Sequence, residues 1–499
     1  MSEKIAKLKL TVSQNLTWVC LMLLLFALSL RFPSDPDMGW HLRNGQDLLN
    51  NFSLIFAGDQ YSWSMAGYPW VPHEWLTDIT MAVINNQFGL IGLVVLFSVL
   101  MTFLFYFAAG IFKTNKITQA IIAILTLSVS YNIIGVRPQM ITMLGVVIIL
   151  YLLFKTRNDN PKLIKWLPII MLLWANLHGG FGIAFVIIAT FVFAEFIRKI
   201  LMAKAKYKKG VGKILSFAQM KMIGLYTGLG FLATLINPSG WKVYLEIYQT
   251  FSDRNILNSI SEWLGVTLYH QASYNLVILT LIILLLLFIN KWKVDITKLI
   301  LVIIMFYFSL SAWRHVPIFA IVATPLIAEQ FSYAIKDGVL AISKQFWMPL
   351  VVLIMAVFVG FNYYTSSKDG LVNEEAYAAK ARLPYGAIEY IRENNLGDKL
   401  LNEYNWGGYL VWKYPEEKVF IDGRMAIWKW NGIEIFEESR KLLRVKDQML
   451  VTEGLEEWGI DHILTFSNGA INSALWGVEN WELKYQDNIA TVWALKYLP

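Results

Sequence analysis

The sequence predicts a polytopic α-helical membrane protein, with about 11 transmembrane helices and a small C-terminal α/β extracytoplasmic domain. Three observations predict this class. The 499 residues are 56% hydrophobic and only 16% charged, whereas a soluble domain carries about 25% charge. The apolar residues are gathered into runs of bilayer length. The charge is divided by region: residues 1–364 hold 28 Lys+Arg and 15 Asp+Glu, and residues 365–499 hold 15 and 21. A net charge of +7 is thus +13 on a charge-poor region and −6 on one of ordinary soluble composition. This pattern excludes an ordinary cytosolic enzyme and a disordered chain. The single cysteine, Cys20, sits in an apolar run and excludes a disulfide scaffold.

Taken in order, candidate spans lie near residues 12–31, 88–112, 117–135, 138–154, 166–178, 181–197, 222–236, 273–290, 299–313, 317–335 and 347–364. The first has a basic start (Lys4, Lys7, Lys9), but Arg31-Phe32-Pro33 follows it instead of a small-residue cleavage site, so it is read as a retained span. With the N-terminus cytoplasmic, 22 of the 28 basic residues of this region fall on inner segments, as the positive-inside rule requires. The basic stretch 198–221 is then an inner loop that contacts anionic headgroups, not nucleic acid. An odd number of spans puts residues 365–499 outside a cell (inner or plasma) membrane.

The first outer loop, residues 32–87, is long. It opens with Asp35-Pro36-Asp37-Met38-Gly39-Trp40-His41. Pro36 suits the first turn of a helix with Asp35 as N-cap. Asp37 and His41 are four apart and share a helix face. A second helix is expected from Val71-Pro72-His73-Glu74-Trp75, with Glu74 and Asp78 on one face. The apolar remainder lets both helices lie in the interface plane. In the outer domain, Pro384–Asn395, Ile433–Leu443 and Met449–Trp458 read as helices. Lys399–Tyr404, Lys418–Ile421 and His462–Phe466 read as strands, and Trp481–Tyr485 with Ala490–Leu495 as a hairpin. Asp422-Gly423-Arg424 reads first as a turn.

Few ionisable residues depart from the topology rule. Arg137 and Arg314 sit at outer ends of spans, each near a proline, and His315 adjoins the second. Ionisable groups at membrane depth are costly. A snorkelling arginine is the plain reading of either alone; together they suit a phosphate. All six histidines fall on the outer side, and His178 lies in Trp174-Ala175-Asn176-Leu177-His178-Gly179-Gly180 at a span end. The plain readings of Asp35 and Asp37 are an N-cap and a first-turn acid favoured by the helix dipole.

These residues carry a resemblance. Acidic residues opening a long first outer loop after the first span, interfacial helices, and many further spans resemble the GT-C superfamily of integral membrane glycosyltransferases. Its members include protein O-mannosyltransferases, aminoarabinose transferases and oligosaccharyltransferase catalytic subunits. Here the acidic motif is Asp35-Pro36-Asp37. The segments Trp40-His41-Leu42, His73-Glu74-Trp75-Leu76, Asn176-Leu177-His178-Gly179-Gly180, Asn237-Pro238, Trp406-Gly407-Gly408-Tyr409-Leu410 and Asp422-Gly423-Arg424 resemble bacterial membrane proteins grouped with it.

The resemblance implies sugar transfer from a polyprenyl-phosphate-linked donor to a protein, lipid or glycan acceptor at the outer face. A first-loop carboxylate, Asp35 or Asp37, is then the general base. Such chemistry needs positive charge on the departing phosphate, for which Arg137, Arg314 and His315 are the candidates. His41, His73, Glu74, Asn176 and His178 are expected to bind the acceptor or support the carboxylates. Asp35, Asp37, Glu74 and His178 form a mixed oxygen/nitrogen set suited to magnesium or manganese, and the metal is optional in relatives. The competing readings are a lipid-linked glycan transporter or flippase, and a glycan polymerase or ligase. A transporter places its polar residues near the midplane, whereas these candidates gather at one face.

Overall fold

The computed structural model describes residues 2–203, 212–334 and 347–496 and divides into two compact units. One comprises residues 1–32, 94–240 and 257–366; the other comprises 33–93, 241–256 and 367–499.

The first unit is helical, and each of the eleven apolar stretches falls on a helix. Among the described residues, six helices are long and apolar enough to cross a membrane: Thr11–Ser29, Trp75–Gly110, Gln139–Asn158, Gly179–Leu201, Trp313–Ala334 and Met348–Val372. The chain is a multi-pass membrane protein. The other five stretches are helices that are shorter or less apolar. The shortest, Leu167–Leu177, packs along Phe217–Thr234 and rises only about 16 Å, roughly half a hydrocarbon core. Trp75–Gly110 is broken at Gly89, where φ is 61°, a left-handed conformation that glycine adopts without a Cβ clash. At the centre lies Val316–Ala334, buried at every position from Val316 to Gln330. It packs on Lys116–Ser130 and Ile296–Ser311. Buried alanines on the first pair (Ala120, Ala123; Ala320, Ala323) let helix backbones approach closely. Cys20 is one of a small apolar cluster with Leu21, Leu24, Ile117 and Val352.

Three of the basic residues that topology alone assigns to the inner surface are buried in an ion-pair network instead. Arg157 lies between Glu195 at 2.7 Å and Asp295 at 2.6 Å. Arg198 reaches the same two carboxylates at 3.4 and 3.5 Å. Lys298 pairs with Glu329 at 3.3 Å. Buried charges persist when paired and hydrogen-bonded, and the Thr297 hydroxyl and the Leu215 N–H also donate to Glu195.

The second unit contains a four-stranded mixed sheet. Its strands are β1 (Leu400–Asn402), β4 (His462–Phe466), β5 (Trp481–Gln486) and β6 (Ala490–Leu495), in the order β1-β4-β6-β5. β1 and β4 are parallel, and the other pairs are antiparallel. β2 (Lys429–Trp430) and β3 (Ile433–Glu434) form a separate hairpin, turned by Asn431 and Gly432 at φ 52° and 84°, as an Asn-Gly hairpin turn requires. The expected helices appear as Tyr385–Asn394, Ile435–Arg444 and Gln448–Trp458. Lys418–Ile421 is not a strand of the sheet. Its Val419 instead makes one parallel bridge to Ser62 of the first loop, exchanging hydrogen bonds with Tyr61 and Trp63.

The first loop belongs to this second unit. Its Trp63 indole donates to the Leu400 carbonyl at 2.9 Å. Helix Met38–Asn50 packs on helix Tyr404–Lys413, which carries Trp406-Gly407-Gly408. A Cβ on Gly39 would overlap the Gly408 carbonyl, and one on Gly408 would overlap the Pro36 carbonyl. Only glycine allows this backbone contact.

Candidate active site

The acidic motif divides its labour. Asp35 Oδ1 accepts the Asp37 N–H at 2.8 Å, and its carbonyl accepts the Met38 N–H. Asp35 therefore holds the turn that starts the helix. Asp37 occupies the N-cap position but makes no side-chain capping bond. Its carboxylate lies against Gly423, so closely that a Cβ there would overlap Asp37 Oδ1.

That glycine belongs to Asp422-Gly423-Arg424, which the sequence suggests as a turn and which opens a short 3-10 helix, Gly423–Ile427, with Asp422 as its N-cap. Asp422 Oδ1 accepts the Arg424 N–H at 2.9 Å. The fully buried Arg424 guanidinium bridges Asp422 (2.5 Å) and Asp59 (2.8 Å). Burial opposes its charge, but the two carboxylates prevail and raise its pKa. Tyr61, Trp70 and Trp428 flank it. This arginine locks the first loop to the turn that abuts Asp37.

One turn into the helix, His41 is buried between two carboxylates of the next helix. Nδ1 lies 2.7 Å from Asp78 and Nε2 lies 3.5 Å from Glu74. The helical spacing expected for Glu74 and Asp78 thus delivers both to one imidazole. Burial works against protonation of His41, and Asp78, Glu74 and Asp37 outweigh it, so its pKa stands above the ordinary imidazole value. Asn44 donates to Asp78 Oδ2 at 2.6 Å. His73 continues the chain, with Nδ1 at 2.9 Å from Glu246 and Nε2 at 3.6 Å from Glu74. Burial again opposes protonation and the two glutamates overcome it, so its pKa is raised well above the usual range.

The cationic candidates belong to the first unit, where they meet on one short segment, Ser261–Trp263. Arg137 pairs with Glu262 at 2.5 Å. The Arg314 guanidinium stacks over Trp263 at 4.1 Å. His315 Nδ1 donates to the Phe308 carbonyl at 3.1 Å, with its ring edge-on to Trp263. Asn176 and His178 hold local backbone. Asn176 donates to the carbonyls of Leu172 and Ile236. His178 Nδ1 accepts the Gly180 N–H at 2.8 Å and lies 2.8 Å from the Thr142 hydroxyl.

Among the described residues, no group of three or more His, Cys, Asp and Glu side chains is arranged to hold a metal ion. In the expected set, one Asp35 oxygen is engaged by its turn and His178 Nδ1 by Gly180.

Sequence reasoning did not single out Glu246, Glu262 or Trp263. Glu246 follows Glu74 by more than 170 residues, and no local spacing links the two.

No family model and no curated protein matches the sequence. Solved structures do. The oligosaccharyltransferase of Archaeoglobus fulgidus, tethered to an acceptor peptide containing the NVT sequon, is 11% identical, with TM-score 0.55 over 91% of this chain and 69% of that one. The same protein in complex with an inhibitory peptide and a dolichol-phosphate gives TM-score 0.54 at 11% identity over the same shares, 91% and 69%. ArnT from Cupriavidus metallidurans, bound to undecaprenyl phosphate, is 12% identical, with TM-score 0.53 over 99% of this chain and 98% of that one. The likeness is one of fold.

Proposed function

We propose that the chain is a glycosyltransferase that moves a sugar from a polyprenyl-phosphate-linked donor to an acceptor at the outer face of the membrane. The observation that carries this reading is the setting of Asp37. It is a first-loop carboxylate set directly against Gly423, and its charge is felt by a doubly paired histidine. A general base must be held in place and left able to accept a proton. Asp37 is held beside Gly423 and within the charge field of His41, whereas Asp35 Oδ1 serves the turn.

In the proposed step the acceptor X–H loses its proton to the carboxylate as X attacks the anomeric carbon. The bond from that carbon to the phosphate oxygen breaks, its electron pair stays with oxygen, and polyprenyl phosphate departs. Two of the structural neighbours hold such lipids, dolichol-phosphate in one and undecaprenyl phosphate in the other, which supports this donor class. The developing phosphate charge needs preorganised cations. Arg314, stacked on Trp263, and Arg137, partly offset by Glu262, fill that role in the proposal. No step is drawn through a metal, because the candidate donors are not grouped to bind one.

The test is turnover by the purified full chain with polyprenyl-phosphate sugars. Asp37→Asn should lose at least about a hundred-fold in kcat, the usual worth of a general base, and Asp35→Asn should lose less. Full activity in both variants contradicts the assignment.

A further inference from the structure

A cavity of about 190 Å³ opens within the second unit beside Asp35. Its walls are aromatic: Tyr377, Trp406, Tyr409, Trp412 and Phe466. The polar tips of three of these rings are committed to the wall itself. The Tyr377 hydroxyl donates to the Pro33 carbonyl at 2.9 Å, the Trp406 indole to the Arg382 carbonyl at 3.2 Å, and the Tyr409 hydroxyl to Glu374 Oε1 at 3.2 Å. These rings therefore offer a ligand carbon rather than polar atoms. Four polar side chains add to the lining: Ser34, Asn405 and Arg382, all exposed, and Asp35, half-buried.

Aromatic carbon with a few hydrogen-bonding groups suits a ligand divided the same way. A pyranose is such a ligand, because its C–H face is apolar and its edge is a belt of hydroxyls. An acyl chain would make no use of the exposed Asn405 and Arg382. A nucleotide would bring several negative charges to a lining with one arginine and one carboxylate.

We propose that this cleft holds the acceptor as a saccharide, its ring against the aromatic wall and its hydroxyl edge toward Asp35 and Asn405. The word acceptor rests on the transfer reading above; the preference for a saccharide does not. It is measured without donor, by saturation-transfer NMR on the detergent-solubilised full chain. The probes are methyl glycosides of glucose, galactose, mannose and N-acetylglucosamine. At least one should receive saturation at its C–H protons. Trp412 is only partly buried, so Trp412→Ala should keep the wild-type melting temperature and weaken that glycoside by about ten-fold. Asn405→Ala, at an exposed position, should weaken it by about three-fold. No saturation of any glycoside, or equal affinity in both variants, overturns the proposal. So does capture of an acetylated tripeptide in their place. Failure of the transfer reading would show separately, as no turnover of polyprenyl-phosphate sugars by the wild-type chain, and would leave the binding result standing.

Discussion

Asp35 and Asp37 are two residues apart and chemically alike, yet their surroundings separate them. One oxygen of Asp35 is tied to the turn, while Asp37 lies over Gly423 and contributes to the charge field of His41. Gly423→Ala is therefore a test at the residue scale, because the added methyl must displace the Asp37 carboxylate. A displacement of about 1 Å costs about a hundred-fold in rate, so kcat should fall that far while the melting temperature changes little. The histidines give a second prediction. His73 has a raised pKa in the folded chain, so its pairing stabilises fully below the ordinary imidazole value of about 6.5 and fades as pH climbs through the raised value. The melting-temperature advantage of wild type over His73→Gln should be larger at about pH 6 than at about pH 10. A constant difference would contradict it. Asp37, His41, Glu74 and Asp78 were legible because helical spacing of three or four puts residues on one face. Glu246 and Glu262 were not, because their partners lie far away in sequence and only tertiary packing brings them close.

At the scale of elements, apolar length was the readable signal, and every expected span is a helix. What it concealed was charge inside them. Arg157, Arg198 and Lys298 were counted on inner segments by the positive-inside rule, which does not reveal that Glu195, Asp295 and Glu329 bury them in ion pairs. Removing one partner strands the others without water, so Glu195→Ala should destabilise the protein by about 3–5 kcal/mol. Thermal unfolding in detergent measures this, and a wild-type midpoint would refute it. Helix Tyr404–Lys413 escaped notice because Gly407 and Gly408 lower helix propensity. Their reason is tertiary, since Gly408 lies against the Pro36 carbonyl of the first loop and Gly407 against the Ile421 carbonyl and Asp422. Lys418–Ile421 was misread for a related reason: its apolar run Val419-Phe420-Ile421 is fully buried but makes one bridge to the first loop and does not join the main sheet.

For the whole molecule, the separation of basic residues 1–364 from acidic residues 365–499 identified the two compositions, and the compact units redraw the line between them. The first loop and residues 241–256 group with the C-terminal residues, so the acidic motif and the aromatic cleft are parts of one body. The fold is shared with solved structures that hold dolichol-phosphate or undecaprenyl phosphate, and the proposed function is that this chain breaks the sugar–phosphate bond of such a lipid. The most direct measurement follows free polyprenyl phosphate in proteoliposomes containing wild type or Asp37→Asn, supplied with sugar-labelled donor and a saccharide acceptor. The account predicts one polyprenyl phosphate released per sugar transferred by wild type, and almost none by the variant. Labelled sugar crossing the bilayer while still attached to its lipid, with no polyprenyl phosphate released, would contradict it and identify a transporter.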